Sequence, residues 1–268
     1  MLGRMSATRT KRRQYDPVKT RAAVRAQFEL VHEGVRGLAE EQFALPTALG
    51  EWTVRDLAVH LTWAPSAIVR ALDAPEPPKL ETTVSDWALG TASRAAAVDE
   101  GTRALSAAHP DVLALYEETA ARFAERAADL DAQRLVATPA GAMNLTDYLV
   151  TRIVELVVHT DDLNRAIGLD VSFDRQALAA TTRLLADAFA AKAPGASTEV
   201  RIPPFAVVQC VAGPRHTRGT PPSVVETDPL TWIRLATGRA RWGTEIAESR
   251  VSASGERSDL SALLPVMS

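Results

Sequence analysis

The 268-residue sequence predicts an all-α, up-and-down helix bundle followed by a smaller α+β domain. Three observations predict it. Apolar residues recur at three- and four-residue steps through most of residues 17–168. Gly168 stands where a glycine just past the last turn would stop a long helix. Beyond residue 198, β-branched and aromatic residues crowd into short runs between prolines and glycines, which is the composition of strands.

Residues 1–16 carry Arg4, Arg9, Lys11, Arg12 and Arg13 with little that is apolar, so they read as a solvated, disordered basic tail. From Pro17, the residues Val24, Phe28, Val31, Val35 and Leu38 mark one buried helix face. After a loop at Pro46–Glu51, Thr53 and Asp56 have capping-box spacing. They open a helix carrying Leu57, His60, Leu61 and Ala64. Pro75–Pro78 is a break no helix should cross. Residues 85–108 read as one alanine-rich helix, and Pro110 restarts another through Leu113, Tyr116, Ala120 and Phe123 to about Leu130. A loop spans Thr138–Asn144, and Thr146 caps a helix from Asp147 to Ile167.

One more helix follows at Arg175–Ala191. Glu199–Val211 reads as strands interrupted at Pro203-Pro204, and Ser223–Glu226 as another strand. Asp228-Pro229 is an N-cap followed by proline at the first helical position, with Gly238 ending that helix. Glu248–Ser254 alternates as a strand, and Ser258–Leu264 reads as a last short helix. The expected division is therefore a tail to residue 16, a bundle over 17–170 and a second domain over 171–268.

Composition excludes several classes. With 46% hydrophobic and 24% charged residues the chain has the material of a globular core. A formal charge of −3 gives no global field to hold a nucleic-acid backbone. A single cysteine, Cys210, rules out intrachain disulfides and thiolate-rich metal sites. In its strand-like run it reads as an inert small hydrophobe. No apolar run approaches the roughly 20 residues of a membrane helix, since even Leu149–His159 is broken by Arg152 and Glu155. The basic N-terminus leads into no apolar signal core, so a cytoplasmic location is expected.

The chemistry-bearing residues are His60, Glu155 and His159. Glu155 and His159 are four apart on one helix and project from the same face. His60 shares the apolar stripe of Leu57, Leu61 and Ala64, so it too points into the bundle. A carboxylate and two imidazoles in an apolar interior are accounted for by a divalent cation, and two histidines with one glutamate make a catalytic zinc set with an open position. The spacing is not that of H-E-x-x-H proteases. Taken alone, these residues also fit an exposed i,i+4 ion pair and a hydrogen-bonded core histidine. Asp161 and Asp162 fit either support of the ligands or plain solvation.

Two segments resemble a known family. Ala48-Leu49-Gly50-Glu51-Trp52-Thr53-Val54-Arg55-Asp56-Leu57-Ala58-Val59-His60-Leu61, and Arg152 through Leu163 ending at Ala166-Ile167-Gly168, are similar to the two signatures of DinB-like helix bundles. The branch is the mycothiol-dependent maleylpyruvate isomerase type. The resemblance implies zinc on His60, Glu155 and His159, and mycothiol as a thiol co-substrate. Pro222 through Gly238, with Ser254 through Leu260, resembles the bacterial sterol-carrier-like domain.

Arg152, one turn before Glu155, is a candidate cofactor-binding residue or a simple ion-pair partner. Arg215 and Arg218, in a glycine-flanked loop, are candidate carboxylate-clamping catalytic residues. Trp52 and Trp63 are expected to pack the bundle or wall the cavity, Trp232 and Trp242 to fill the second core, and His32 and His109 to serve at the surface or at helix ends. Two functions follow. One is a zinc-dependent, mycothiol-linked isomerase or S-transferase acting on a small electrophile. The other is a non-catalytic carrier of an apolar ligand with a structural or vestigial metal.

Overall fold

The computed structural model describes residues 13–128, 131–213 and 223–267. Among these, α1 (Pro17–Arg36) opens the bundle, with the Asp16 carboxylate accepting from the Lys19 amide at 3.0 Å. Most of the expected tail lies outside the described residues. Its last four do not follow the expectation, because Arg13 is tied to Asp187 by an ion pair of 2.7 Å and Asp16 is the helix cap.

The expected helix through Ala64 is two, α2 (Val54–Leu61) and α3 (Trp63–Asp73). Pro65 has no N–H to offer the Leu61 carbonyl, and the Thr62 hydroxyl turns back onto the Val59 carbonyl at 2.7 Å. His60 therefore sits in the last turn of α2 rather than its opening turns. The alanine-rich stretch is also divided, into α4 (Val84–Leu89) and α5 (Ala95–Ala108), with Gly90 and a 3-10 turn at Ala92–Arg94 between them. α6 (Val112–Arg126) is capped by Asp111, not Pro110, and ends at Arg126.

An unforeseen two-stranded ribbon, β1 (Leu135–Val136) against β2 (Met143–Asn144), brackets the loop that leads into α7 (Leu145–Ile167). Asn144, rather than Thr146, caps α7: its side chain accepts from the Thr146 amide at 2.9 Å. Gly168, in the left-handed region at φ 68°, ends the helix as expected. α7 is the axis of the bundle, packed by α1, α2, α3 and α4, and by α8 (Arg175–Lys192). His32 is not at the surface. It is buried, with its ring stacked on Tyr116 at 5.2 Å.

The second domain is a four-stranded sheet of order β4-β3-β5-β6: β3 (Thr198–Ile202), β4 (Ala206–Cys210), β5 (Ser223–Thr227) and β6 (Val251–Ser254). β3 and β5 are parallel; the other pairs are antiparallel. α9 (Pro229–Ala236) is capped by Asp228 as expected, while α10 (Trp242–Ala247) was not foreseen. The expected last helix shrinks to one 3-10 turn at Ser261–Leu263. Trp232 fills the core edge-on to Phe189 of α8 at 5.5 Å, whereas Trp242 is only half-buried. α8 lies between the domains, touching α1, α4 and α7 on one side and β4 and α9 on the other. Such a helix is apolar around most of its circumference, and Ala177, Ala180, Leu184, Leu185, Ala188 and Phe189 are all buried.

Candidate metal centre

The last turn of α2 and the middle of α7 face each other across the bundle, and that crossing assembles the site. His60 Nε2 lies 3.7 Å from Glu155 Oε2, and His159 Nε2 lies 3.4 Å from the same oxygen. The two imidazole rings meet edge to face, 4.8 Å apart. One ligand atom from each of the three residues lies within 4.8 Å of the others. Ligand atoms on a tetrahedral zinc are about 3.3–3.6 Å apart at bond lengths of roughly 2.0–2.2 Å. The two histidine–glutamate spacings sit close to that edge, so the residues present fit a divalent cation.

The hydrogen bonds on the far side of each ring support the same fit. His60 Nδ1 is 3.0 Å from the Thr102 hydroxyl of α5, and His159 Nδ1 is 2.9 Å from Asp162 Oδ2. Both rings are thus anchored through Nδ1 and present Nε2 to Glu155, the arrangement metal-binding histidines adopt. Asp162 is fixed in turn by Arg239, whose Nη2 lies 2.7 Å from Oδ2 and whose Nε lies 2.8 Å from Oδ1. Its neighbour Asp161 does not serve the cluster; it takes a two-pronged ion pair from Arg234 of α9 at 2.8 and 2.6 Å.

Electrostatics follow from these contacts. Burial pushes His60 below its ordinary value and so favours the neutral ring that ligates metals, against the opposing effect of its hydrogen bond to Glu155. Burial would raise Glu155, but hydrogen bonds from His159 and His60, with the charge of Arg152, hold it well below the usual carboxylate range. Burial would lower His159, yet Asp162 and Glu155 outweigh it and raise the ring. Asp162 is depressed because bonds from His159 and Arg239 overcome its burial.

The cluster opens into a cavity of about 760 Å³ whose lining is mostly apolar, with alanines and three tryptophans prominent in it. Trp52 and Trp63 flank His60, with ring centroids at 4.9 and 5.6 Å, and of the two roles expected for them both take the one of walling the cavity. Trp63 lies so close to α5 that a Cβ on Gly101 would fall 2.5 Å from its ring. Arg152 lines the cavity, its Nη2 3.9 Å from Glu155 Oε1 and its guanidinium 5.1 Å from the centre of the Tyr148 ring. Arg215 and Arg218 lie outside the described residues. The second-domain residues that reach the cavity are Thr237, Arg239 and Met267. Sequence reasoning missed Arg239 because its partner Asp162 is 77 residues away in the chain. Cys210 is buried away from the cavity, its thiol pushed up to about 11 by that burial, which leaves it un-ionised and inert.

Replacing Asp162 with Asn should leave His159 in place but lower its basicity. The expected result is a roughly 10–100-fold weaker affinity for zinc, read by chelator competition. Unchanged affinity would show that Asp162 does not support the ligand.

The family model of the mycothiol maleylpyruvate isomerase N-terminal domain matches residues 24–164, and that of the bacterial SCP ortholog matches residues 174–266. No curated protein sequence matches the chain. Among solved structures, the mycothiol-dependent maleylpyruvate isomerase aligns with a TM-score of 0.60 at 16% identity, covering 90% of this chain and 93% of that one. A histidine-to-alanine mutant of an enzyme of that description aligns with the same values. At this identity the likeness speaks to the fold, in which a helical N-terminal region is followed by a smaller mixed domain. The first family model spans more than half of the 268 residues, and the chain belongs to the mycothiol maleylpyruvate isomerase N-terminal domain family.

Proposed function

We propose that the protein is a mycothiol-linked isomerase or S-transferase acting on a small electrophile, with a divalent metal, zinc in the first instance, held by His60, Glu155 and His159. The observation that carries this reading is the convergence of both imidazole Nε2 atoms on one glutamate oxygen at the floor of a large cavity. When bound, a divalent cation with three protein ligands keeps a position where a thiol is stabilised as its thiolate near neutral pH.

The chain's own residues do the rest. Thr102 and Asp162 fix the two rings so that neither must reorganise when a ligand arrives. Trp52 and Trp63 keep the face of His60 away from bulk water. Such apolar walls strengthen every electrostatic interaction inside the cavity. Arg152 places a positive charge beside Glu155, where an anionic group of a ligand would settle.

A carrier role was the other expectation, and the match of residues 174–266 to the SCP ortholog model is what favours it. The solved isomerase, however, is covered over 93% of its own chain, so the second domain is part of the shared fold and calls for no separate carrier function. The test is thiol consumption by the zinc-loaded protein with mycothiol and a panel of small electrophiles. Metal-loaded protein that neither binds nor consumes the thiol, together with a lipid retained in native mass spectrometry, would favour the carrier instead.

A further inference from the structure

The cavity carries more positive charge than its acids balance. Arg70, Arg94, Arg152 and Arg239 line it against the carboxylates of Asp99 and Glu155, and Arg70 is exposed to solvent. Arg239 is matched by Asp162. Arg152 has only Glu155, 3.9 Å away and already shared by two imidazoles. Arg94 has no carboxylate within ion-pair distance among the described residues; its guanidinium donates to the Trp87 carbonyl at 3.2 Å. Arg94 and Arg152 come from different elements, Arg94 from the 3-10 turn before α5 and Arg152 from α7, and they meet at Trp87. Arg94 holds the backbone of that residue, while Arg152 stands 5.6 Å from the centre of its ring.

Two guanidiniums facing one apolar chamber repel each other. Burial first, and the neighbouring Arg152 second, already draw Arg94 below its ordinary value. Cations drawn into an apolar interior are ordinarily paired with an acid. Here the matching negative charge is absent from the lining near Trp87, and a ligand anion would supply it.

We propose that Arg94 and Arg152 form an anion subsite that takes the carboxylate of a small, flat ligand, with the rings of Trp87 and Tyr148 against its apolar part. The inference rests on reading the cavity as the substrate chamber. Because Arg152 is 3.9 Å from Glu155, the anion and the group presented to the metal ligands are separated by only a few atoms. That favours short-chain or aromatic carboxylates and disfavours long-chain lipids. The pair would select among electrophiles by charge.

The test uses full-length protein and benzoate as the probe, with benzamide as its neutral counterpart, by titration calorimetry on both zinc-loaded and chelator-stripped protein. Two charge-assisted hydrogen bonds are at stake, so R94Q/R152Q should weaken benzoate by about tenfold or more. Benzamide should be unaffected, and Arg94→Lys should retain most of the benzoate affinity. Arg94→Gln alone, on a half-exposed turn, decides the matter if the double variant does not fold, and should weaken benzoate severalfold. No benzoate binding by the wild type, equal binding of benzamide, or undiminished affinity in the variants overturns the proposal. An effect confined to zinc-loaded protein places the carboxylate on the metal and also overturns it. If the thiol assay fails while stripped protein still binds benzoate through these arginines, the thiol chemistry is wrong and the subsite stands.

Discussion

His159→Ala is expected to abolish metal binding while leaving the protein folded. Wild-type protein should carry about one zinc per chain, and the variant, left with His60 and Glu155 alone, under about a tenth of that after dialysis. Thiol consumption should fall with it. The fold should survive because the partner left behind is not orphaned: Asp162 keeps its two-pronged bond from Arg239 after the imidazole is gone. The measurement is elemental analysis of both proteins purified side by side, with a thermal melt as the control. A full metal complement in the variant would remove His159 from the ligand set. A collapsed melt would instead give the cluster a structural role.

The second large effect is expected at Arg234→Ala. Asp161 is 2% exposed and its charge is matched by Arg234 from the second domain. Deleting only the cation leaves a buried carboxylate without its partner, which costs about 3–5 kcal/mol. In a protein of this size the melting temperature should drop on the order of 10 °C. Adding Asp161→Asn to the same background should recover part of the loss, because the uncompensated charge is what hurts. A single variant melting within a degree of the wild type would show that the pair contributes little. Zinc content should barely change, since Asp161 touches none of the three ligands, and this separates the variant from Asp162→Asn.

These outcomes bear on what was legible beforehand. The pairing of Glu155 with His159 was open to inspection because helix geometry turns a four-residue spacing into proximity. His60 could be placed on an inward stripe, although α2 ends one residue after it. What pattern reading missed was local chemistry that overrides periodicity. The break at Thr62 depends on a missing amide three positions later, at Pro65. The division of residues 85–108 depends on Gly90, which alanine-rich surroundings conceal. Arg94 and Arg239 were invisible for a different reason. Their roles arise from folding over distances where no short motif links the partners, whereas Arg215 and Arg218, chosen for the composition of their loop, lie outside the described residues. For Asp161 and Asp162 the sequence offers the same two roles, support of the ligands or solvation; only the packing of α7 separates their tasks.

The position of α8 has a consequence for how the molecule comes apart. The segment that matches the SCP ortholog begins at residue 174, one residue before this helix, so a cut made at the family boundary would send α8 away with the sheet. Yet α8 seals the side of α1, α4 and α7 as much as it seats β4 and α9. A fragment ending near residue 170 would therefore lose one wall of its own interior and expose the apolar flanks of three helices. Evolutionary modules and cooperative folding units do not coincide in this chain. Heating should accordingly produce a single calorimetric transition across both halves, and the bundle released by genetic truncation should be sticky and poorly soluble where the intact chain is not.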